Sequence, residues 1–169
     1  MSSLRFALVV ALALACASEP EPTAPTTPAR SAPIVFAYGT PRGEEVGSAT
    51  TRGRVTALLF VTTFDLPSQL MARRLEEVTK RHRPRVNAVA VALEAPNSAP
   101  LVEVFRSTLG LSYPVALESS GAIDHDGPFG TLDRVPTLIV LDARGREVAR
   151  EAGVVPAEDI DALLERAAR

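Results

Sequence analysis

The chain has 169 residues, a formal net charge of −2 at pH 7 and 46% hydrophobic residues. That length accommodates one domain of about 100–200 residues plus a tail, and the mildly acidic balance carries no footprint for nucleic acid, which is therefore not an expected partner. A single cysteine, Cys16, excludes an intramolecular disulfide and a cysteine-rich metal site.

The chain opens with MSSLRFALVVALALAC, in which Arg5 precedes an apolar run and small residues lead to Cys16. This is the pattern of a secretory signal, and it is too short for a membrane span of about 20 residues. The end of it, Leu12-Ala13-Leu14-Ala15-Cys16, resembles a bacterial lipobox, although the strict pattern prefers leucine where Ala13 stands. The resemblance implies that residues 1–15 are removed, which takes Arg5 away and leaves a net charge of −3, and that Cys16 is lipidated. The protein is then expected in the bacterial cell envelope, lipid-anchored and facing the periplasm or the exterior. An exposed free thiol in an oxidising compartment is a liability, which favours lipidation. The alternative is a plain signal cut at Ala13-Leu14-Ala15, leaving a soluble secreted or periplasmic protein. Residues 16–33 carry Pro20, Pro22, Pro25, Pro28 and Pro33 among small polar residues, with no large side chain to bury. They read as a tether biased to polyproline II, rising about 3.1 Å per residue.

The folded part is expected over residues 34–169. Residues 34–38 (IVFAY) predict a short strand, followed by a turn-rich connection punctuated by Gly39, Gly43, Gly47 and Gly53. Val55–Val61 predicts a buried strand. The next stretch, FVTTFDLPSQ, turns into a helix at Asp65, with Leu66, Leu70, Met71, Leu75 and Val78 expected on roughly one face. The helix ends in KRHRPR (80–85), where Pro84 marks the stop and the cations, His82 among them, are expected to offset the helix dipole rather than to form a phosphate or lipid patch. Val86–Leu93 predicts a second buried strand and residues 99–109 a helix closed by Gly110, making a right-handed βαβ crossover. LSYPVALES follows as a short extended segment. In the loop at 119–130, Asp124, His125 and Asp126 suggest a metal, but adjacent side chains diverge and nothing completes the shell, so a solvated turn and no metal are expected. Strands at 138–141 and 147–150 flank the turn Asp142-Ala143-Arg144-Gly145, and residues 156–168 predict a last helix with an apolar face of Ile160, Leu163, Leu164 and Ala167.

Phe60, Thr63 and Phe64 match the F, T and W of a strand ending F-x-A-T-W, and Asp65, Leu66, Pro67 and Ser68 stand where a following C-x-P-C would be. RVPTLIVLDARGREV (134–148) matches an x-P-T-x-x-x-x-D-x-x-G-x-x-V hairpin, and the lead-in at 40–60 a D-G-K-x-V-x-L-x-x-x-x-G-K preamble. Together these resemble the thioredoxin superfamily in its TlpA-like or redoxin branch. The resemblance implies an α/β fold with a central mixed sheet flanked by helices on both faces, a cis-proline at Pro136, and a groove of Phe64, Leu66, Val135 and Pro136 able to pair with an extended peptide. It also marks departures. Both cysteines are gone, Leu59 replaces a buried acid, Arg73 a helix-kinking proline, and Met71 the glutamate of the TlpA-like helix.

Thiol exchange needs a thiolate and a resolving thiol, and this chain has neither at the joint. A carboxylate at Asp65 suits an N-cap, accepting N–H groups near Ser68, and such a stabilised anion is a poor base. No histidine is placed to activate Ser68. Copper-chaperone relatives need a cysteine pair and a histidine that are missing. The expectation is a membrane-tethered domain with no catalytic residues and no cofactor, binding an extended peptide or envelope protein. The alternatives are a thiol-disulfide oxidoreductase or antioxidant-type redoxin by family membership, and a non-thiol enzyme using Asp65.

Overall fold

The computed structural model describes residues 32–118 and 127–169. Cys16, the tether up to residue 31, and the loop residues Asp124, His125 and Asp126 lie outside the described residues.

The central element is β3 (Val55–Val61), all seven residues of which are buried. It pairs in parallel with β4 (Val86–Leu93) and antiparallel with β6 (Thr137–Leu141). Beyond β4 lie the parallel β5 (Val115–Glu118), then β1 (Ala37–Gly39) and β2 (Glu45–Gly47), while β7 (Glu147–Ala152) closes the other edge. The order is β2-β1-β5-β4-β3-β6-β7. Side chains alternate across a strand, so Ala57, Leu59 and Val61 of β3 join one apolar cluster and Leu58 and Phe60 the other.

Three helices serve the first cluster. α2 (Leu66–His82) contributes Met71, Ala72, Leu75 and Val78, α3 (Ala99–Thr108) contributes Val102 and Phe105, and α4 (Ala157–Ala167) contributes Ile160, Leu163 and Leu164. The four-residue α1 (Ser48–Thr51) precedes β3. Among the described residues the second cluster is covered by the extended lead-in, through Ile34, Phe36 and Tyr38, with Val46 and Phe129. The asymmetry has a topological cause. The crossovers from β3 to β4 and from β4 to β5 step the same way across the sheet, so right-handed connections place α2 and α3 on one side.

Several sequence expectations differ in detail. The first strand is assigned to Ala37–Gly39 rather than 34–38, because its partner is β2, a strand in what read as a turn-rich connection. Gly47 explains why that connection is tight: a Cβ there would meet the Phe36 carbonyl oxygen at 2.4 Å. Leu66 and Leu70 are exposed rather than part of the buried helix face. At about 100° per residue they stand roughly 80–180° around the axis from Met71, Leu75 and Val78. The helix end behaves as expected in part: Lys80 pairs with Glu76, and Arg81 and His82 pair with Asp161. Val135–Pro136 is cis, and so is Arg83–Pro84, which the sequence did not announce.

Polar pins hold α2 to the sheet. The Tyr113 hydroxyl donates to the Ala72 carbonyl at 2.7 Å, and the buried Glu76 carboxylate accepts from the Ser112 N–H at 2.9 Å and from the Ser112 hydroxyl. Burial works against the Glu76 charge, but bonds from Ser112 and Lys80 outweigh it and hold the carboxyl below its ordinary range. A depressed folded-state value stabilises the fold above the unfolded pKa of about 4.3 and is lost as pH falls through the folded value. Glu76→Ala, which strands the Ser112 N–H, is expected to cost about 1–3 kcal/mol in urea unfolding at pH 7. The gap between wild type and Glu76→Gln should narrow on acidification, and a gap that widens would contradict the assignment.

Candidate functional site

β3 delivers the chain to its upper end, where residues 62–65 cross to the start of α2. Asp65 is extended (φ −95°, ψ 142°) and is the N-cap of α2, with Pro67 in the first turn. One carboxylate oxygen accepts the Ser68 N–H at 2.7 Å and the other accepts the Thr62 hydroxyl in a short contact. Ser68 is fully buried, and its Oγ accepts the Thr62 N–H at 3.3 Å. Burial pushes the Asp65 carboxyl up, but the bonds from Ser68 and Thr62 outweigh it, so the group sits below the ordinary aspartate range. Both oxygens are thus committed to structure.

The neighbouring residue is held equally firmly. Thr63 donates its N–H to Glu94 Oε1 at 2.6 Å, and Gln69 Nε2 donates to the Thr63 carbonyl at 3.2 Å. Phe64 then projects outward with 80% exposure, and Leu66 with 75%. The expected groove is only partly assembled from its four residues. Phe60 pairs with Thr137, so Pro136 and Val135 continue beside the end of β3; Pro136 is buried and accepts the Gly153 N–H at 2.7 Å, and Val135 is half-buried. Phe64 instead lines a groove of ≈ 510 Å³ on its other side, with Glu94, Leu101, Val104 and Phe105. Leu101 and Val104 are 59% and 58% exposed on α3.

Sequence reasoning named Asp65, Leu66, Pro67 and Ser68, and the structure brings Asp65 and Ser68 together. It missed Thr62, Glu94 and the α3 residues. Leu101 and Val104, three apart and each immediately preceding the buried Val102 and Phe105, are the signal that α3 is apolar on more than its core face. Beneath the joint, Leu59 is fully buried in the apolar cluster, paired across to Leu138, with no acid in its place. Among the described residues no group of three His, Cys, Asp or Glu side chains is gathered to hold a metal.

No protein-family model matches the chain and no curated protein matches it in sequence. Solved structures do. A thioredoxin-family thiol:disulfide interchange protein from Chlorobium tepidum superposes with a TM-score of 0.68 at 22% identity, over 82% of this chain and 96% of that one. StoA from Bacillus subtilis matches with a TM-score of 0.61 at 25% identity, over 79% and 98%. A secreted Mycobacterium tuberculosis disulfide oxidoreductase matches with 0.64 at 19% identity, over 78% and 95%. The fold is therefore thioredoxin-like, and its neighbours are thiol:disulfide interchange proteins.

Asp65→Ala is expected to destabilise the domain by about 1 kcal/mol, within the 0.5–2 kcal/mol of a lost N-cap, whereas Asp65→Asn, which still caps, should cost less. Because the folded-state carboxyl is depressed, its charge contributes above the unfolded pKa of about 3.9 and the contribution disappears as pH falls through the folded value. Thermal unfolding of the two variants between neutral and acidic pH checks both statements; an Asp65→Ala protein as stable as wild type at pH 7 refutes the capping role.

Proposed function

We propose that this protein is a lipid-anchored, thioredoxin-like binding module of the bacterial envelope, without thiol-disulfide exchange. The observation that carries the reading is the occupant of the helix start. A carboxylate takes the N–H bond and the favourable end of the helix dipole that an attacking thiolate needs, and its second oxygen is held by the Thr62 hydroxyl. The chain's single cysteine lies far away in sequence, at position 16. Exchange proceeds through a thiolate and a mixed disulfide, and no residue of the joint supplies a sulfur.

A non-thiol enzyme built on Asp65 is disfavoured by the same geometry, since a depressed and doubly hydrogen-bonded carboxylate is a weak base. What the upper end does offer is exposed apolar surface. Phe64, Leu101 and Val104 rim a groove beside the polar groups of Glu94, Thr63 and Gln69, and Leu66 is exposed nearby in the chain. Concave apolar surface with a few fixed polar groups suits a peptide or protein segment held in extended form. The lipid anchor at Cys16 is the sequence reading carried forward; secreted neighbours accord with a location outside the cytoplasm.

Three measurements test this. Replacing Cys16→Ser should move the protein from the detergent to the aqueous phase on partitioning, and a wild type already in the aqueous phase removes the anchor. The purified domain should not reduce insulin disulfides, whereas Asp65→Cys with Ser68→Cys should form a bridge under mild oxidation, since residues three apart in a first helical turn lie about 5–6 Å apart, inside the disulfide window. Reductase activity in the wild type overturns the redox-inactive reading. Reduced, carboxymethylated α-lactalbumin, a soluble extended chain, should bind, and Phe64→Ala with Leu101→Ala should weaken that binding at least tenfold, about 1.4 kcal/mol, at unchanged thermal stability. Equal binding by the variant places the contact elsewhere.

A further inference from the structure

The lower end of the molecule, opposite Asp65, collects arginines from three connections that are distant in sequence. Arg52 and Arg54 enter β3, Arg83 and Arg85 enter β4, and Arg144 sits in the turn between β6 and β7; all five are exposed. Their backbones are stitched together. Val55 and Val86 are partners in the β3–β4 register, Gly53 donates its N–H to Ala143 at 2.9 Å, and Arg54 reaches Pro84 and Asn87 with its side chain. Among the described residues none of the five pairs with a carboxylate; Arg83 donates to the Ser112 hydroxyl instead. The acids nearby do little to cancel them. Asp142 is already neutralised by Arg146, Asp161 by Arg81 and His82, and Glu45 alone lines the recess shared by Arg54 and Arg83. The protein as a whole is acidic, so this is a local excess.

The same end is where the chain enters the fold. The Ile34 N–H donates to the Gly145 carbonyl at 2.8 Å, and the space beside Gly145 is bounded by Pro33. Pro33 and Ile34, which the expected tether from Cys16 precedes in sequence, therefore lie at the same end as Arg144, Arg52 and Arg54.

We propose that this arginine-bearing end docks on anionic phospholipid headgroups of the membrane to which the tether leads. The proposal rests on the anchor reading for why that membrane is near, and on the arginines for how the domain sits. Guanidinium groups bind phosphate oxygens in a fork, and each basic residue close to an anionic leaflet contributes about 1 kcal/mol, about fivefold in binding. Individually these contacts are weak; five on one surface, concentrated at the membrane by a tether, set an orientation. β3 spans about 20 Å at roughly 3.3 Å per residue, so a domain docked through Arg52 and Arg85 holds Asp65, Phe64 and the groove on the side facing away from the lipid, where a partner reaches them.

The test uses the processed chain, residues 16–169, with Cys16→Ser, so that no lipid contributes; both readings of the signal cut before residue 16. Its co-sedimentation is compared on phosphatidylcholine vesicles and on phosphatidylcholine vesicles containing one third phosphatidylglycerol. Binding should be at least tenfold tighter to the anionic vesicles and should be lost in high salt, as screened surface charge requires. Arg52→Glu with Arg85→Glu should reduce it at least tenfold; among the described residues neither side chain makes a hydrogen bond or ion pair, so the fold should be unchanged by circular dichroism. Arg73→Glu with Arg134→Glu makes the same change in net charge elsewhere on the surface and should leave binding within about threefold of the parent. Equal binding to both vesicle types, or equal losses in the two double variants, overturns the proposal. Failure of wild type to enter the detergent phase would remove the anchor while leaving this vesicle result standing on its own.

Discussion

β3 is paired on both edges and buried on both faces, and this double enclosure sets the position of everything that functions. Its side chains alternate between the two apolar clusters, so a slip of one residue against β4 or β6 would exchange Leu59 and Val61 for Leu58 and Phe60 and empty both cores. With the register fixed, the chain must emerge at Thr62–Asp65 at one end and enter past Arg52–Arg54 at the other. The joint and the arginine surface are the two ends of one constrained strand.

At the upper end the acid that starts α2 has a structural role. A helix start needs an acceptor for its unpaired N–H groups, and Asp65 provides one at 2.7 Å while its second oxygen is held by Thr62. Asp65 thus supplies a cap, stabilised by the helix dipole, and it supplies no sulfur. Leu59 lies in the apolar cluster beneath the joint. A buried acid would be costly where no proton is to be moved, and leucine simply adds to the cluster against Leu138.

The two ends then differ in character for reasons that suit different partners. The Asp65 end is rimmed by exposed apolar side chains around a groove, surface that favours dehydrating contact with a segment of another chain. The opposite end carries arginines that pair with no carboxylate among the described residues, beside Pro33 and Ile34 where the described chain begins.

The sequence determined the elements that depend on local pattern. The continuous apolar runs at Val55–Val61 and Val86–Leu93 could only be buried strands, the acid before Leu66-Pro67 could cap a helix, and the aspartate and glycine of 142–145 specify the hairpin turn that the Asp142 carboxylate closes by accepting from Arg144 and Arg146. It also settled that no thiol stands at the joint, because that is a matter of composition. Contacts between distant segments were not legible. That Leu66 and Leu70 face solvent depends on which side of α2 meets the sheet; that Phe64 faces α3 rather than Pro136 depends on where the β4–β5 crossover lays that helix; and that Arg52, Arg83 and Arg144 share a surface beside the chain's entry follows only from strand register. Periodicity reports which residues share an element's face, while the partner that face meets is set by long-range pairing and by the handedness of the crossovers, and these exist only once the sheet is assembled.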